Sequence, residues 1–481
     1  MLDSPEPPKS LLQKLQERAA ASRFFTVSLL LHMGIIIIGG SVVLFKQMAE
    51  PEDFTAGPGL VGDTAPAAAP PEQQPDPQQQ LTPQAPSLNT PSLTAITSMA
   101  AAPTFTVASA APVAISVPAD AMAKVSATAS TKGLAGLPGT MAGRAGGTAR
   151  GQAMAKNGGK KEGELAVLRG LRWLVKTQNS DGSWSTPPQF QAAMTGFALL
   201  SFLGHGETPV SPEFGPTVGR AIDWVMENGK KYNGHLSMEP AITQHGSYGH
   251  GIVTYALGEY YTMTKDDRAA ELFKQAVKYI VDGQGPDGGW MYNYNKEQSD
   301  TSVTGWQIQA LKAAHLSGLS IEGVDAALDK AMLNLKRVQG PNGGYGYRGP
   351  EDKYSLTGVG VLCTYFWKQN LDKSVAAGIK YMFSQLDKNP VEYKAPNADL
   401  YAWYYNTQAC LMVGGEHWTK WNALFQDQLI KSQAAEGFWP VMVAKGVGDL
   451  QFDEKGAGPY YRTNLCILML EVYYRYTPSL K

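Results

Sequence analysis

The chain is 481 residues long, with Lys plus Arg at 41 and Asp plus Glu at 42, a formal net charge of −1. No basic field is available for nucleic acid, which is excluded as an expected partner. Cys363, Cys410 and Cys466 all lie in apolar helical patterns, which suits buried thiols and excludes a disulfide framework.

Residues 1–23 are polar, carry Lys9, Lys14, Arg18 and Arg23, and form an expected cytoplasmic N-terminus. Residues 24–45 contain no acid, lysine or arginine, and are long enough for a transmembrane helix across a hydrocarbon core of about 30 Å. Lys46 closes the run and Glu50, Glu52 and Asp53 follow it, so the positive-inside rule expects a single-pass inner-membrane protein with a periplasmic C-terminal part. Gln47-Met48-Ala49 lacks a small residue at its first position, which points to an uncleaved anchor. Ser28 and His32 share one face of that helix at i, i+4, and an intramembrane histidine is a functional-site candidate; the plainer reading is a polar pair that helps helices associate. This run, followed by a Pro-rich segment, resembles the anchor of TonB-type energy transducers. That resemblance implies contact with a proton-motive-force motor complex.

Residues 46–160 are dominated by Pro, Ala, Gln, Thr, Ser and Gly, too apolar-poor to bury a core, and are expected to form a disordered linker ending in the glycine-rich stretch from Gly133 to Gly159.

Residues 161–481 are built on repeats. The sentence Gln178-Asn179-Ser180-Asp181-Gly182-Ser183-Trp184 returns from Gln284 to Trp290, from Gln339 to Tyr345 and, more loosely, from Gln433 to Trp439. A polar amphipathic helix leads into each copy, and an apolar helix with a small residue near its start follows, as at Thr195-Gly196, Thr304-Gly305 and Thr357-Gly358. Units marked near residues 169, 220, 275, 330, 377 and 424 give six helical hairpins, at a period suited to a helical array. Polar helices alternating with apolar ones predict an outer and an inner ring, an all-α α6/α6 toroid. The pattern resembles the QW repeat of the squalene cyclase, oxidosqualene cyclase and prenyltransferase β-subunit superfamily. The repeat itself reads as structural: Gly supplies positive φ, glutamine bonds end groups of a neighbouring helix, and the indole packs against that helix.

Candidates for chemistry stand where inner helices begin, at one mouth of the ring: Gln191, His245, Tyr248, His250, Tyr354, Asp399, Tyr401, Tyr460, Tyr461 and Arg462 as ligand-binding residues. Such an aromatic rim suits an apolar or isoprenoid ligand, or simply fills the barrel. The resemblance implies, for the protonating cyclases, an Asp-x-Asp-Asp-Thr run at one inner helix start. Here that place reads Glu297-Gln298-Ser299-Asp300-Thr301-Ser302, with serine where the proton donor belongs. Asp300 and Glu297 are the candidate acids, and Asp300 reads equally as a helix N-cap, the favoured alternative. For the prenyltransferases the resemblance implies zinc held by an aspartate two residues before a cysteine. Val361, Gln408 and Asn464 occupy that offset, so no metal and no cofactor are expected. The sequence thus favours a membrane-anchored extracytoplasmic binding or scaffold module. Alternatives are an isoprenoid cyclase and an energy-coupled envelope component.

Overall fold

The computed structural model describes residues 137, 139–185, 188–237, 246–368, 371–395, 397–441 and 457–476. After a 3-10 turn at Gly139–Arg144 come α1 (Gly147–Asn157), α2 (Lys161–Thr177), α3 (Pro188–His205), α4 (Gly215–Lys231), α5 (Gly246–Thr264), α6 (Asp267–Asp282) and α7 (Thr301–Leu316). They are followed by α8 (Val324–Val338), α9 (Tyr354–Lys368), α10 (Lys373–Ser384), α11 (Leu400–Val413), α12 (Gly415–Ser432), α13 (Gly458–Leu470) and α14 (Val472–Arg475). The expected span 24–45 with Ser28 and His32, most of the expected linker, and His245 lie outside the described residues. No helix among the described residues is long and apolar enough to cross a membrane.

The even-numbered helices α2 to α12 bury one stripe each, whereas the odd-numbered α3 to α13 are buried on nearly every side. The apolar helices pack in sequence, α3 on α5, α5 on α7, α7 on α9, α9 on α11 and α11 on α13, and α13 returns to α3. The result is the expected ring of hairpins, polar helices outside and apolar helices inside.

The repeat acts as a clamp between neighbours. Gln178 Nε2 donates to Gly182 O within its own turn and to Thr217 O in α4; Gln284 reaches Ala327 O in α8, and Gln339 reaches Ser374 O in α10. Gln433 donates to Ala166 O in α2 at 2.8 Å, so the last copy clasps the first outer helix and closes the circle. Each copy's turn glycine, Gly182, Gly288, Gly343 and Gly437, has φ between 88° and 105°. A side chain there would meet the carbonyl of Arg220, Lys330, Ala377 or Arg169 on the next outer helix.

The indole packs against the neighbouring outer helix, as Trp439 does at Gly170 of α2, and it also bonds to its own. Trp184, Trp290 and Trp439 donate their ring N–H to Leu174, Ile280 and Leu429 carbonyls at 2.9, 2.7 and 2.8 Å, each in the last turn of the helix that precedes the motif. Carbonyls in the last turn lack a helical N–H partner, so the indole caps its own helix C-terminus. The backbone N–H of Trp184, Trp290, Tyr345 and Trp439 donates to the hydroxyls of Thr195, Thr304, Thr357 and Thr463, tying each turn to an inner helix.

The boundary expected at residue 160 moves toward the N-terminus, because residues 139–157 are helical rather than linker. Glycine content concealed this: Gly143 lets the chain press against the Tyr474 carbonyl, where a side chain would not fit. Arg144 is then fully buried, with Nε donating to Arg475 O at 2.9 Å and NH1 to Glu259 Oε2 at 2.8 Å. In α1, Arg150 donates to Glu164 Oε1 at 3.2 Å, the same oxygen that lies 3.1 Å from His205 Nε2, while His205 Nδ1 is 2.7 Å from Glu207.

Burial opposes a charge on His205, but its bonds to Glu164 and Glu207 outweigh this and raise its pKa above 6.5. Burial likewise opposes charge on both glutamates, and their bonds to His205 prevail, lowering each below 4.5. The histidine contribution is complete below its unfolded value and is lost as pH rises through the raised one. The carboxylate contributions are complete above their unfolded values and are lost as pH falls through the lowered ones. The thermal-midpoint difference between the wild type and His205→Gln is therefore expected to be largest between about pH 4.5 and 6.5 and to shrink on the alkaline side; a difference that does not vary with pH would count against the cluster.

Candidate functional site

The mouth at the inner-helix N-termini is organised by Asp300. This fully buried residue is the N-cap of α7: Oδ1 accepts the Ser302 and Val303 backbone N–H groups at 2.6 and 3.0 Å and the Ser302 hydroxyl at 2.6 Å. Oδ2 accepts the Tyr292 hydroxyl at 3.0 Å. The chain of hydroxyls continues on both sides, from Ser302 to Tyr248 and from Tyr292 to Tyr347. Thr301 is structural as well, its hydroxyl donating to Gly346 O at 2.7 Å in the next unit's loop.

Several other expected residues are buried at the starts of inner helices. Burial pushes the Tyr401 phenol well up, and the neighbouring Tyr461 and Asp300 add to it. Burial, with Asp399 nearby, does the same to Tyr354. Asp399 itself caps α11, accepting the Ala402 N–H at 2.9 Å. Arg462 is buried, with its guanidinium 5.3 Å above the Tyr393 ring.

Others are drawn elsewhere. Glu297 stands exposed in the loop before α7. Gln191 donates to the Ser183 hydroxyl at 2.7 Å and braces the first repeat. Tyr460 packs at a tilt against Trp173 of α2 at 5.2 Å, between the first and last hairpins. His250 occupies the place that threonine holds in the repeat units. Its Nδ1 accepts the Leu236 N–H and its Nε2 donates to Ala276 O, both at 2.9 Å. Burial, and then the stacked His235 4.6 Å away, hold its pKa well down, so this ring is a neutral staple.

Below the mouth an aromatic layer crosses the axis. Trp306 meets the Phe197 ring edge-on at 5.1 Å and stacks on Tyr404 at 5.6 Å, and so joins the first, third and fifth inner helices. Tyr461 closes on Phe197 at 5.8 Å, and Tyr405 packs against both Tyr401 and Tyr404 at 5.0 Å. The rings occupy the middle of the barrel. Sequence reasoning missed Trp306, Phe197 and Tyr404 because it weighed only helix starts.

The far end carries buried charge. Glu259 takes the bidentate Arg144 guanidinium, and Arg475 lies 5.6 Å from the Tyr255 ring centroid and donates to its hydroxyl at 3.2 Å. Burial pushes the neighbouring Glu471 carboxyl well up despite Arg475. Glu259 was the legible signal here, an acid inside the apolar run Ala256-Leu257-Gly258-Glu259-Tyr260. Among the described residues no group of three or more His, Cys, Asp or Glu is placed to hold a metal.

No family model matches the chain. It is similar to a probable squalene–hopene cyclase of Sinorhizobium fredii, 25% identical over 228 residues, covering 42% of this chain and 33% of that protein. The chain thus matches about a third of that relative's length. The GH76A α-1,6-mannanase from Salegentibacter sp. HEL1_6 superposes with a TM-score of 0.50 at 12% identity, over 65% of this chain and 99% of that one. The type II terpene cyclase MstE from Scytonema gives a TM-score of 0.41 at 12% identity, over 65% and 98% of the two chains. The fold is a squalene cyclase-like α/α toroid.

Proposed function

We propose that the toroid is a binding module, with the mouth around Tyr248, Tyr354, Asp399, Tyr401 and Tyr461 as its ligand-facing rim, and that it does not perform acid-initiated cyclisation. The observation that carries this reading is the commitment of Asp300. An initiating acid must hold a proton and direct it into an apolar cavity. Both oxygens of Asp300 instead accept bonds, two of them from backbone N–H groups that have no other intrahelical partner. The aromatic layer beneath adds to the argument, since it shortens the space a long polyene would need. Aromatic faces that also carry phenol hydroxyls suit a ligand, hydrophobic or glycan-like, that offers a flat apolar face.

The similarity to a squalene–hopene cyclase favours a second reading, an isoprenoid cyclase with Asp300 as acid. Incubating the purified chain with squalene separates the two. No cyclic product is expected from the wild type or from Asp300→Asn. A cyclic product that disappears in Asp300→Asn would overturn the binding reading.

The anchor belongs to the same proposal: residues 24–45 hold the module on the outer face of the inner membrane, where Ser28 and His32 offer a contact for a proton-driven motor complex. Loss of the protein from carbonate-washed membranes would refute the anchor. Full rescue of a deletion strain by His32→Ala would refute the coupling.

A further inference from the structure

Three of the four glutamine repeats end in tryptophan and the third in chain order ends in Tyr345. The Tyr345 hydroxyl bonds to Thr364 of α9, where the indole N–H of the other copies bonds to the preceding outer helix. Its ring lies between α9 and Gly378 of α10, and Gly360 takes the place filled by Ala198, Gln307 and Cys466 in the tryptophan units, three residues after the shared threonine. A side chain at Gly360 would overlap the Tyr345 ring. Beside this ring a groove of about 410 Å3 lies between α8 and α10.

The groove has an apolar body and a cationic edge. Tyr345 and Thr364 line its floor, with Met332 and Leu333 along one side. Leu333 is 69% exposed, and Leu371, next to the lining residue Asp372, is 58% exposed, so apolar surface continues past the groove. Lys330, Lys336 and Lys368 edge it. Both lining acids are engaged elsewhere: Asp329 accepts the Trp367 indole N–H at 2.8 Å and lies 3.7 Å from Lys368, while Asp372 caps α10 through Val375 N–H at 2.9 Å. Lys330 and Lys336 form no ion pair among the described residues.

We propose that this groove binds an amphiphilic organic anion, a carboxylate or sulfonate carried on a flat or short aliphatic body. The apolar part rests on Tyr345, Met332 and Leu333, and the charge lies between Lys330 and Lys336. The site is separate from the ring mouth and does not depend on what the mouth binds.

Titrating the full chain with anilinonaphthalene sulfonate, read by fluorescence, tests it. The wild type is expected to show one saturable site. Tyr345→Trp restores the repeat's usual ending, fills the groove and should abolish binding with the thermal midpoint unchanged or raised. Reversing two charges with Lys330→Glu and Lys336→Glu should weaken binding about tenfold. Lys278→Glu, on the exposed face of α6, should leave it unchanged. Because Leu333 is exposed, Leu333→Glu folds independently of the repeat and should also lose the site, which keeps the test open if Tyr345→Trp fails to fold. The absence of saturable binding, or wild-type binding in both Tyr345→Trp and Leu333→Glu, overturns the proposal.

Discussion

Replacing Arg144 by alanine is expected to cost about 3–5 kcal/mol of stability, the usual penalty for removing one partner of a buried ion pair. Neither side chain of the Arg144–Glu259 pair reaches solvent, with 0% and 2% exposure, so the buried glutamate left behind would lose its closest guanidinium and keep only that of Arg475 at 3.9 Å. The Arg475 carbonyl would also lose its Nε donor. Denaturant unfolding checks this. Pairing Arg144→Met with Glu259→Leu should recover only part of the loss, because the buried Arg475, 3.9 Å from Glu259, then loses that counter-charge. A loss under about 1 kcal/mol in Arg144→Ala would mean that residues 139–144 do not dock on the ring.

Gly437→Val should be nearly as damaging, at roughly 3 kcal/mol or more, from two separable causes. The first is conformational: φ at Gly437 is 105°, where a β-branched residue is strained. The second is collision with the Arg169 carbonyl of α2. Gly146 has nearly the same φ, 106°, but open space around it, so Gly146→Val isolates the strain at about 1–3 kcal/mol. The difference between the two variants measures how firmly the last repeat clasps the first helix. Equal losses would remove the clasp.

The ring was legible because its signal repeats. Four copies of Gln-x3-Gly-x-aromatic at a common spacing declare both the hairpin unit and the turn between units, and each copy folds by the same bonds. The cap at Asp300 was legible for a local reason, since N-capping depends on the next three residues only. What failed was anything set by closure. Phe197, Trp306 and Tyr404 lie in three different hairpins, and only the completed circle decides that their rings meet. His250 looked like a rim residue because its place at a helix start is visible, whereas the Leu236 and Ala276 groups that occupy both its nitrogens come from two other segments. Tyr460 and Tyr461 are neighbours in sequence, yet one faces Trp173 and the other Phe197. Arg144, a lone cation among glycines, carries no periodicity at all, and its partner Glu259 lies 115 residues away.

All of these placements require that the sixth hairpin return to the first. Spin labels at Leu165 on α2 and Lys431 on α12, read by pulsed dipolar spectroscopy, measure that directly, since the native cysteines are buried. Adjacent outer helices with axes about 8–10 Å apart predict one narrow distance, under about 25 Å once the label arms are added. An open array of six hairpins would separate the labels by about 50 Å or more, and that result would dissolve the mouth, the aromatic layer and the site built on them.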